Sequence, residues 1–445
     1  MKIFFVSLGC DKNLVDSEVM LEQLHNRGYS FTDDEEEADI AVVNSCCFIG
    51  DAKEESIRTI IELGGRKQTG KLQKLILCGC LAQRYHQEIL EELPEVDAVV
   101  GTLAIERIAD AVEACLAGKR EIYLEDIQSP PFIGRKRVNT TGGYYAFLKI
   151  AEGCDKHCTY CVIPKVRGNF RSVPMEDLLA QARELAAQGI RELILVAQET
   201  TVYGIDLYGA KQLPELLHRL CEIEGIRWIR LLYCYPEEIT EELIDTIRDE
   251  EKIVHYIDMP IQHASDRILS RMGRKTNQEE IRRKVAMIRG KIPDIALRTT
   301  LITGFPGETE ADFEELYRFV NEMEFDRLGV FPYSAEEDTP AASMPDQIDE
   351  KVKQSRRDEI MELQQAIAFE NEENMVGRLL PVMIEGRIAE DNVYVARSYR
   401  DAPDVDGYVF VNTDRDLMSG DFVTVRITDS REYDLIGEME DEFTQ

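Results

Sequence analysis

Cys154, Cys158 and Cys161 lie within eight residues, separated by three and then two others, in the segment CDKHCTYC. One short loop can therefore aim three sulfurs at one place. Three thiolates can hold three irons of a cubane and leave the fourth iron without a protein ligand. Such an iron can bind a small molecule and pass it an electron. The competing reading is a structural zinc completed by His157, although zinc sites ordinarily use paired C-x2-C or Cys/His sets. A second set is scattered. Cys10, Cys46 and Cys80 each come directly after an apolar run with strand character. Buried free thiols at strand ends are common. Three strand ends of one parallel sheet share a crevice, however, and that favours a second metal site. Cys47 would point away from Cys46 in a continuing strand. Cys78 falls within its strand, Cys115 on a helix face, and Cys221 and Cys234 away from both sets; all five read as packing thiols.

The elements that must position these residues fall into three segments. Residues 1–120 alternate strand and helix: KIFFVSLG, IAVVNS, LQKLILCG and VDAVVG read as strands, with helices at 13–27 and near 52–67, 82–92 and 103–117. That alternation predicts a doubly wound parallel sheet. Residues 121–140, which include QSPPFIGRKRVNTTGG, read as a linker rich in Pro, Gly and basic residues. Residues 141–374 carry six candidate strands, YYAFLKIA, ELILVAQ, RWIRLLYC, VHYIDMPI, ALRTTLITG and RLGVFPYS, and end in a charged helix over 350–374. Six strand–helix units are too few for an eight-stranded barrel and predict a partial, TIM-like (β/α)6 barrel. The three-cysteine loop follows its first strand. Residues 375–445 give five short strands, LLPVMIEG, NVYVARSY, GYVFVN, DFVTVRIT and YDLIGEM, which predict a small five-stranded OB-like β-barrel.

The bulk numbers agree with a soluble enzyme. At 445 residues the chain exceeds one ordinary domain, and 44% apolar residues suffice for real cores. No apolar run is long enough to cross a bilayer, and the N-terminus lacks the features of a signal peptide, so a cytoplasmic protein without a membrane partner is expected. Eleven cysteines, an odd number, then favour metal or redox chemistry over disulfides. Lys and Arg total 52 against 85 Asp and Glu, a net charge of −33. The last segment is acidic by itself: from Val376 to Gln445 there are seven Arg, no Lys and sixteen Asp or Glu, 7 − 16 = −9. Such a surface repels nucleic-acid phosphates and attracts a basic partner.

The segment AEGCDKHCTYCVIPKVRG resembles the cluster loop of radical S-adenosylmethionine (SAM) enzymes. The resemblance implies a [4Fe–4S] cluster on Cys154, Cys158 and Cys161 whose open iron chelates SAM, and a 5′-deoxyadenosyl radical released on reduction. It places Tyr160 near the adenine. It assigns hydrogen bonds to the SAM amino group to the stretch Gln198-Glu199-Thr200, after the second barrel strand, and so implies Glu199 as a SAM contact. Arg298 and the Gly-rich turn LITGFPGET, with Gly304, are similar to further SAM-contacting positions. Without the cysteine loop, that turn is as readily a plain capped strand-to-helix turn, and Arg298 as readily a salt-bridge partner. His263 reads as a packed or capping histidine and receives no role.

With Cys10, Cys46 and Cys80 included, the whole chain resembles the methylthiotransferases: a first domain with three scattered cluster cysteines, a radical SAM core and a C-terminal TRAM domain. The resemblance implies a second [4Fe–4S] cluster that carries the sulfur to be inserted. It also implies one SAM as methyl donor and another as radical source, with a flavodoxin or ferredoxin-type reductant. Two branches compete. One modifies adenosine in tRNA. The other modifies the β-carbon of an aspartate in ribosomal protein S twelve. SLGCDKNLVDSE resembles the opening of the protein-modifying branch, SLGC-x-KN-x-VDSE, whereas the tRNA branch opens with a GCQMN-like stretch. GCLAQRY also suits the protein-modifying branch, while NSCCFI departs from it at Ser45 and Cys47. The acidic terminal segment points the same way, to a basic ribosomal protein rather than tRNA. A non-catalytic electron-transfer protein would explain the thiols but not the barrel motifs.

Overall fold

The computed structural model describes residues 1–131, 136–388 and 392–440. Part of the expected linker (132–135) and of the expected terminal barrel (389–391 and 441–445) lies outside the described residues. The first sheet is parallel and six-stranded, in the order Ser30–Thr32, Lys2–Ser7, Ile40–Ser45, Lys74–Gly79, Ala98–Val100, Glu121–Tyr123. Its central strand Ile40–Ser45 is buried at every position, as expected for a parallel strand covered on both faces. Two strands were not anticipated, Ser30–Thr32 and Glu121–Tyr123. Both are three-residue edges, too short to show a period. The second of them means that the segment read as a linker begins inside the first sheet. The helix expected near 82–92 is two, Cys80–Arg84 and His86–Glu92, because Tyr85 between them leaves the helical region.

The second sheet has six parallel strands in chain order: Tyr145–Lys149, Glu192–Val196, Trp228–Leu231, Ile253–Asp258, Ala296–Thr303 and Arg327–Pro332. This is the expected partial barrel. The helices between its strands bury their apolar faces in one core with the strands' outer sides, for example Leu178, Leu217, Ile244, Ile288 and Phe319. The inner face is a separate core of Phe147, Ile194, Val196, Val254 and Tyr256, and two neighbours complete it. Val15 enters it from the first helix, Asp11–Asn26, and Met383 and Ala402 enter from the last segment. An open barrel exposes apolar surface along its gap, and these insertions cover it.

The last segment is a closed five-stranded barrel in the order Leu379–Arg387, Val393–Ser398, Val409–Asn412, Asp434–Met439, Phe422–Arg431. It is joined to the partial barrel by the helix Glu350–Glu373. Buried ion pairs fix its docking. Arg397 binds Glu192 Oε2 at 2.6 Å, and Arg230 binds the other oxygen of Glu192 at 2.8 Å. Arg327 meets Asp401, and the Tyr256 hydroxyl donates to Asp406 Oδ2 at 2.8 Å. Part of this segment's acidity therefore faces inward, onto the partial barrel. Among the described residues no helix is long and apolar enough to cross a membrane.

Candidate functional site

The loop carrying Cys154, Cys158 and Cys161 is held at both ends by backbone. The Cys154 N–H donates to Gly168 O at 3.1 Å, Cys161 N–H to Cys158 O at 3.0 Å, and Thr159 N–H to Met272 O at 2.9 Å. Gly153 makes the entry possible. Its φ is +79°, and a Cβ there would lie 2.0 Å from Asn169 O, so no other residue fits. All three thiols are free; Cys154 and Cys158 are buried and Cys161 is half-buried. Burial pushes the Cys154 thiol up to about 12, and it raises Cys161 as well. Burial thus disfavours the free thiolates of Cys154 and Cys161.

The groups around the loop fit a bound amino acid with a positive amine. Glu199 is 1% exposed. One of its oxygens accepts the Thr201 N–H at 3.0 Å, while Oε2 is buried without a hydrogen-bond partner. Gln198 donates to Glu152 Oε1 at 2.8 Å and leaves its own Oε1 unpartnered, as does Glu237 its Oε2. Burial pushes the Glu199 carboxyl up to about 7, despite Thr201 and Lys156. Lys156 Nζ stands 3.7 Å from that Glu199 oxygen and Arg274 3.9 Å from that of Glu237, so both carboxylates are ion-paired but keep an acceptor oxygen without a hydrogen bond. Tyr160 stands edge-on to Phe305, with centroids 6.5 Å apart, at the rim of a small apolar cluster. Two other expected contacts are occupied by the chain itself. Arg298 donates to Asp258 Oδ1 at 2.8 Å and lies 3.8 Å from Asp406. Gly304 gives its N–H to Glu308 Oε2 at 2.9 Å, and Lys353 fills the space beside its Cα. His263 is wholly buried: its Nδ1 accepts the Ser265 N–H at 2.9 Å, and its Nε2 is 3.4 Å from Glu308.

Cys10, Cys46 and Cys80 stand at the carboxyl ends of three adjacent strands, as the sequence predicted. Cys46 faces the Cys10 loop: a Cβ on Gly9, whose φ is +92°, would lie 3.0 Å from Cys46 Sγ. Cys47 and Cys80 both belong to the apolar core on that side of the sheet. Burial and the neighbouring Cys80 thiol push Cys46 up to about 12. Among the described residues no three His, Cys, Asp or Glu side chains meet as closely as a single ion requires. A cubane places each thiolate on a different iron and asks for a wider set. Cys78 gives its thiol to Val43 O at 3.3 Å and Cys115 packs in the sheet's other core. Cys234 lies nearer the radical loop than expected, 3.5 Å from Thr200 Oγ1, one residue beyond Glu199.

One side chain spans both sites. Arg167, six residues after Cys161, donates to Asp16 at 2.7 Å, to Glu152 at 3.1 Å, to Asn13 Oδ1, and to Cys80 Sγ at 3.5 Å. Lys149 bridges the same two carboxylates. All of these groups are nearly or fully buried, so the guanidinium is both the counter-charge for two acids and a donor to a thiol of the second set. Nothing local marks it beyond its place in PKVRG, because its partners are remote in the chain.

Three family models match the chain: the uncharacterized protein family UPF0004 over residues 2–101, the radical SAM superfamily over 148–320, and the TRAM domain over 376–439. A ribosomal protein uS12 methylthiotransferase RimO from Lachnoclostridium phytofermentans is 62% identical, covering 99% of this chain and 100% of its own length. Proteins of the same name from Clostridioides difficile and Geobacter sulfurreducens are 50% and 51% identical over 98–99% of each chain. Among solved structures, the radical SAM methyltransferase TsrM from Kitasatospora setae, with cobalamin and a [4Fe-4S] cluster bound, matches with a TM-score of 0.53 at 14% identity, covering 74% of this chain and 72% of that one. The radical SAM enzyme OxsB, with cobalamin and SAM bound, matches with 0.52, covering 77% of this chain and 54% of that one. Those two likenesses establish the fold of the core.

Proposed function

This chain belongs to the RimO family of radical SAM methylthiotransferases, and from that premise we propose that it inserts a methylthio group at the β-carbon of an aspartate in ribosomal protein uS12. The observation that supports this reading best is the identity of 62% over the full length of a uS12 methylthiotransferase. In this reading Cys154, Cys158 and Cys161 hold one [4Fe–4S] cluster and Cys10, Cys46 and Cys80 a second. Cluster-bound SAM supplies a 5′-deoxyadenosyl radical on one-electron reduction, and a further SAM supplies the methyl group. The protein's own part is positional. Glu199 and Gln198 would accept hydrogen bonds from the SAM ammonium, and Tyr160 would stand near the adenine. Arg167 ties the segment after Cys161 to Cys80 and to the acids of the second crevice, and so would keep the two cysteine sets at a fixed separation. A flavodoxin or ferredoxin-type protein is the proposed electron donor, in a cytoplasmic setting.

The test is direct. Reconstituted enzyme with SAM and reductant is offered a peptide carrying the uS12 target loop, and a bacterial tRNA preparation in parallel. The expected result is a peptide whose mass gains one methylthio group in place of a hydrogen, localised to aspartate by fragmentation. Modification of tRNA with the peptide untouched would assign the enzyme to the other branch.

A further inference from the structure

Lys12, Asp11 and Tyr233 meet between the two cysteine sets. Lys12 lies two residues after Cys10, in the first turn of the helix Asp11–Asn26. Tyr233 follows the strand Trp228–Leu231, at the carboxyl-end face of the partial barrel. The Lys12 side chain is 95% buried, at 5% exposure, and its Nζ sits 3.3 Å from the centre of the Tyr233 ring. The Tyr233 hydroxyl donates to Asp11 Oδ2 at 3.4 Å. Four other cations of this region each stand beside a carboxylate. Lys149 and Arg167 share Asp16 and Glu152, Lys156 has Glu238, and Arg298 has Asp258. Lys12 has no such ion pair among the described residues; its close partner is an aromatic face. A ring compensates a buried ammonium only in part, so the site favours an incoming anion.

The backbone beneath is arranged for this contact. Tyr233 has φ +59°, in the left-handed region that aromatic residues rarely occupy. Its N–H donates to Asp258 Oδ2 at 3.0 Å, and its carbonyl accepts the Thr200 N–H at 3.2 Å. That strained turn holds the ring, and hence the ammonium, two residues from Cys10 at the carboxyl-end face of the partial barrel.

We propose that Lys12 is the specificity-determining cation of the enzyme: it receives the carboxylate of the substrate's aspartyl side chain and so fixes the β-carbon between the two cysteine sets. This rests on the aspartyl reading above. In aspartate the carboxylate is bonded directly to the β-carbon, so holding one holds the other. Arg298 is already neutralised by Asp258 with Asp406 beside it. A charge-assisted bond to Lys12 also separates aspartate from asparagine, which has the same shape and no charge.

The experiment uses the full-length, anaerobically reconstituted enzyme and two uS12-loop peptides that differ only in Asp or Asn at the modified position. Wild type is expected to bind the Asp peptide about tenfold or more tighter than the Asn peptide. Lys12→Met is expected to abolish that preference by weakening the Asp peptide alone, and Lys12→Arg to keep most of it. Iron content and cluster EPR spectra are recorded for each; Lys12→Gln carries the same test if the Met variant loads iron poorly. A fully loaded Lys12→Met enzyme that still prefers the Asp peptide overturns the proposal. So does an equal loss of both peptides with an altered cluster spectrum, which would assign Lys12 to balancing charge near Cys10. A wild type that neither binds nor modifies either peptide instead removes the uS12 reading itself.

Discussion

The radical loop is built by spacing, and the second crevice by topology. Cys154, Cys158 and Cys161 need only one turn, a glycine at φ +79° and a few backbone hydrogen bonds to converge. Cys10, Cys46 and Cys80 converge only when three strands pair in the right order, Lys2–Ser7 beside Ile40–Ser45 beside Lys74–Gly79. The charged groups left incompletely paired differ as well. Beside the loop they include the carboxylates Glu199 and Glu237, and beside the crevice the ammonium of Lys12. The contrast underlies the proposed roles, a cationic cofactor at one site and an anionic substrate group at the other. What joins them is Arg167, which belongs to the loop by sequence and to the crevice by contact.

The largest effects should come from breaking one site and sparing the other. Cys158→Ala is expected to reduce 5′-deoxyadenosine formation to background, measured by chromatography of the reaction with SAM and reductant. Cys46→Ala should leave that formation in place while methylthiolation of the peptide disappears and iron content falls by about half, as for the loss of one of two cubanes. Cys47→Ala should leave the iron content at the wild-type level; a loss there would exchange the roles of Cys46 and Cys47. Next in size is Arg167→Met. It leaves Asp16 and Glu152 with Lys149 alone in a buried site, and removal of one partner from a buried ion network costs about 3–5 kcal/mol. Chemical denaturation should show the loss, with the first sheet and the partial barrel unfolding in separate steps. A single unchanged transition would mean that Arg167 does not couple them. Smaller again is Glu199→Gln, expected to weaken SAM binding about tenfold in anaerobic calorimetry, as for one charged hydrogen bond. Unchanged affinity would move the ammonium site elsewhere.

The same contrast governs what the sequence could disclose. The loop was legible because its information is local. The crevice was legible because each of its cysteines ends an apolar run, and parallel strands leave few ways to arrange their ends. All five strands of the last barrel were legible from alternation and turn residues. The three-residue edge strands Ser30–Thr32 and Glu121–Tyr123 were not, since three exposed or half-exposed residues carry no periodicity. Side-chain partners were the least accessible. Arg298 could be read as a cofactor contact or an ion-pair residue, and only the approach of Asp258 and Asp406 gives it neighbours. Arg167 and Lys12 sit in quoted motifs, yet the carboxylates that surround one and the ring that underlies the other come from distant segments.

The smallest expected effect lies away from both cysteine sites, under the partial barrel, and it separates changes in the scaffold from changes at the clusters. Burial alone would raise the Glu192 carboxyl, but Arg397 and Arg230 outweigh it and hold the group below its usual 4.5. A depressed carboxyl stabilises the docked state fully above its ordinary value, and that stabilisation is lost as pH falls through the lowered one. Acid should therefore loosen the terminal barrel from the partial barrel below the usual carboxylate range. Glu192→Gln, less stable at neutral pH, should lose less on acidification, so the gap between the two proteins narrows as pH drops. Hydrogen exchange in Val393–Ser398, the strand that carries Arg397, reads the docking directly. Cys10, Cys46 and Cys80 lie on other elements, so the spectrum of the cluster proposed on them should not follow the same acid transition. A gap that stays constant with pH would show that the two arginines, not the charge on Glu192, hold the interface.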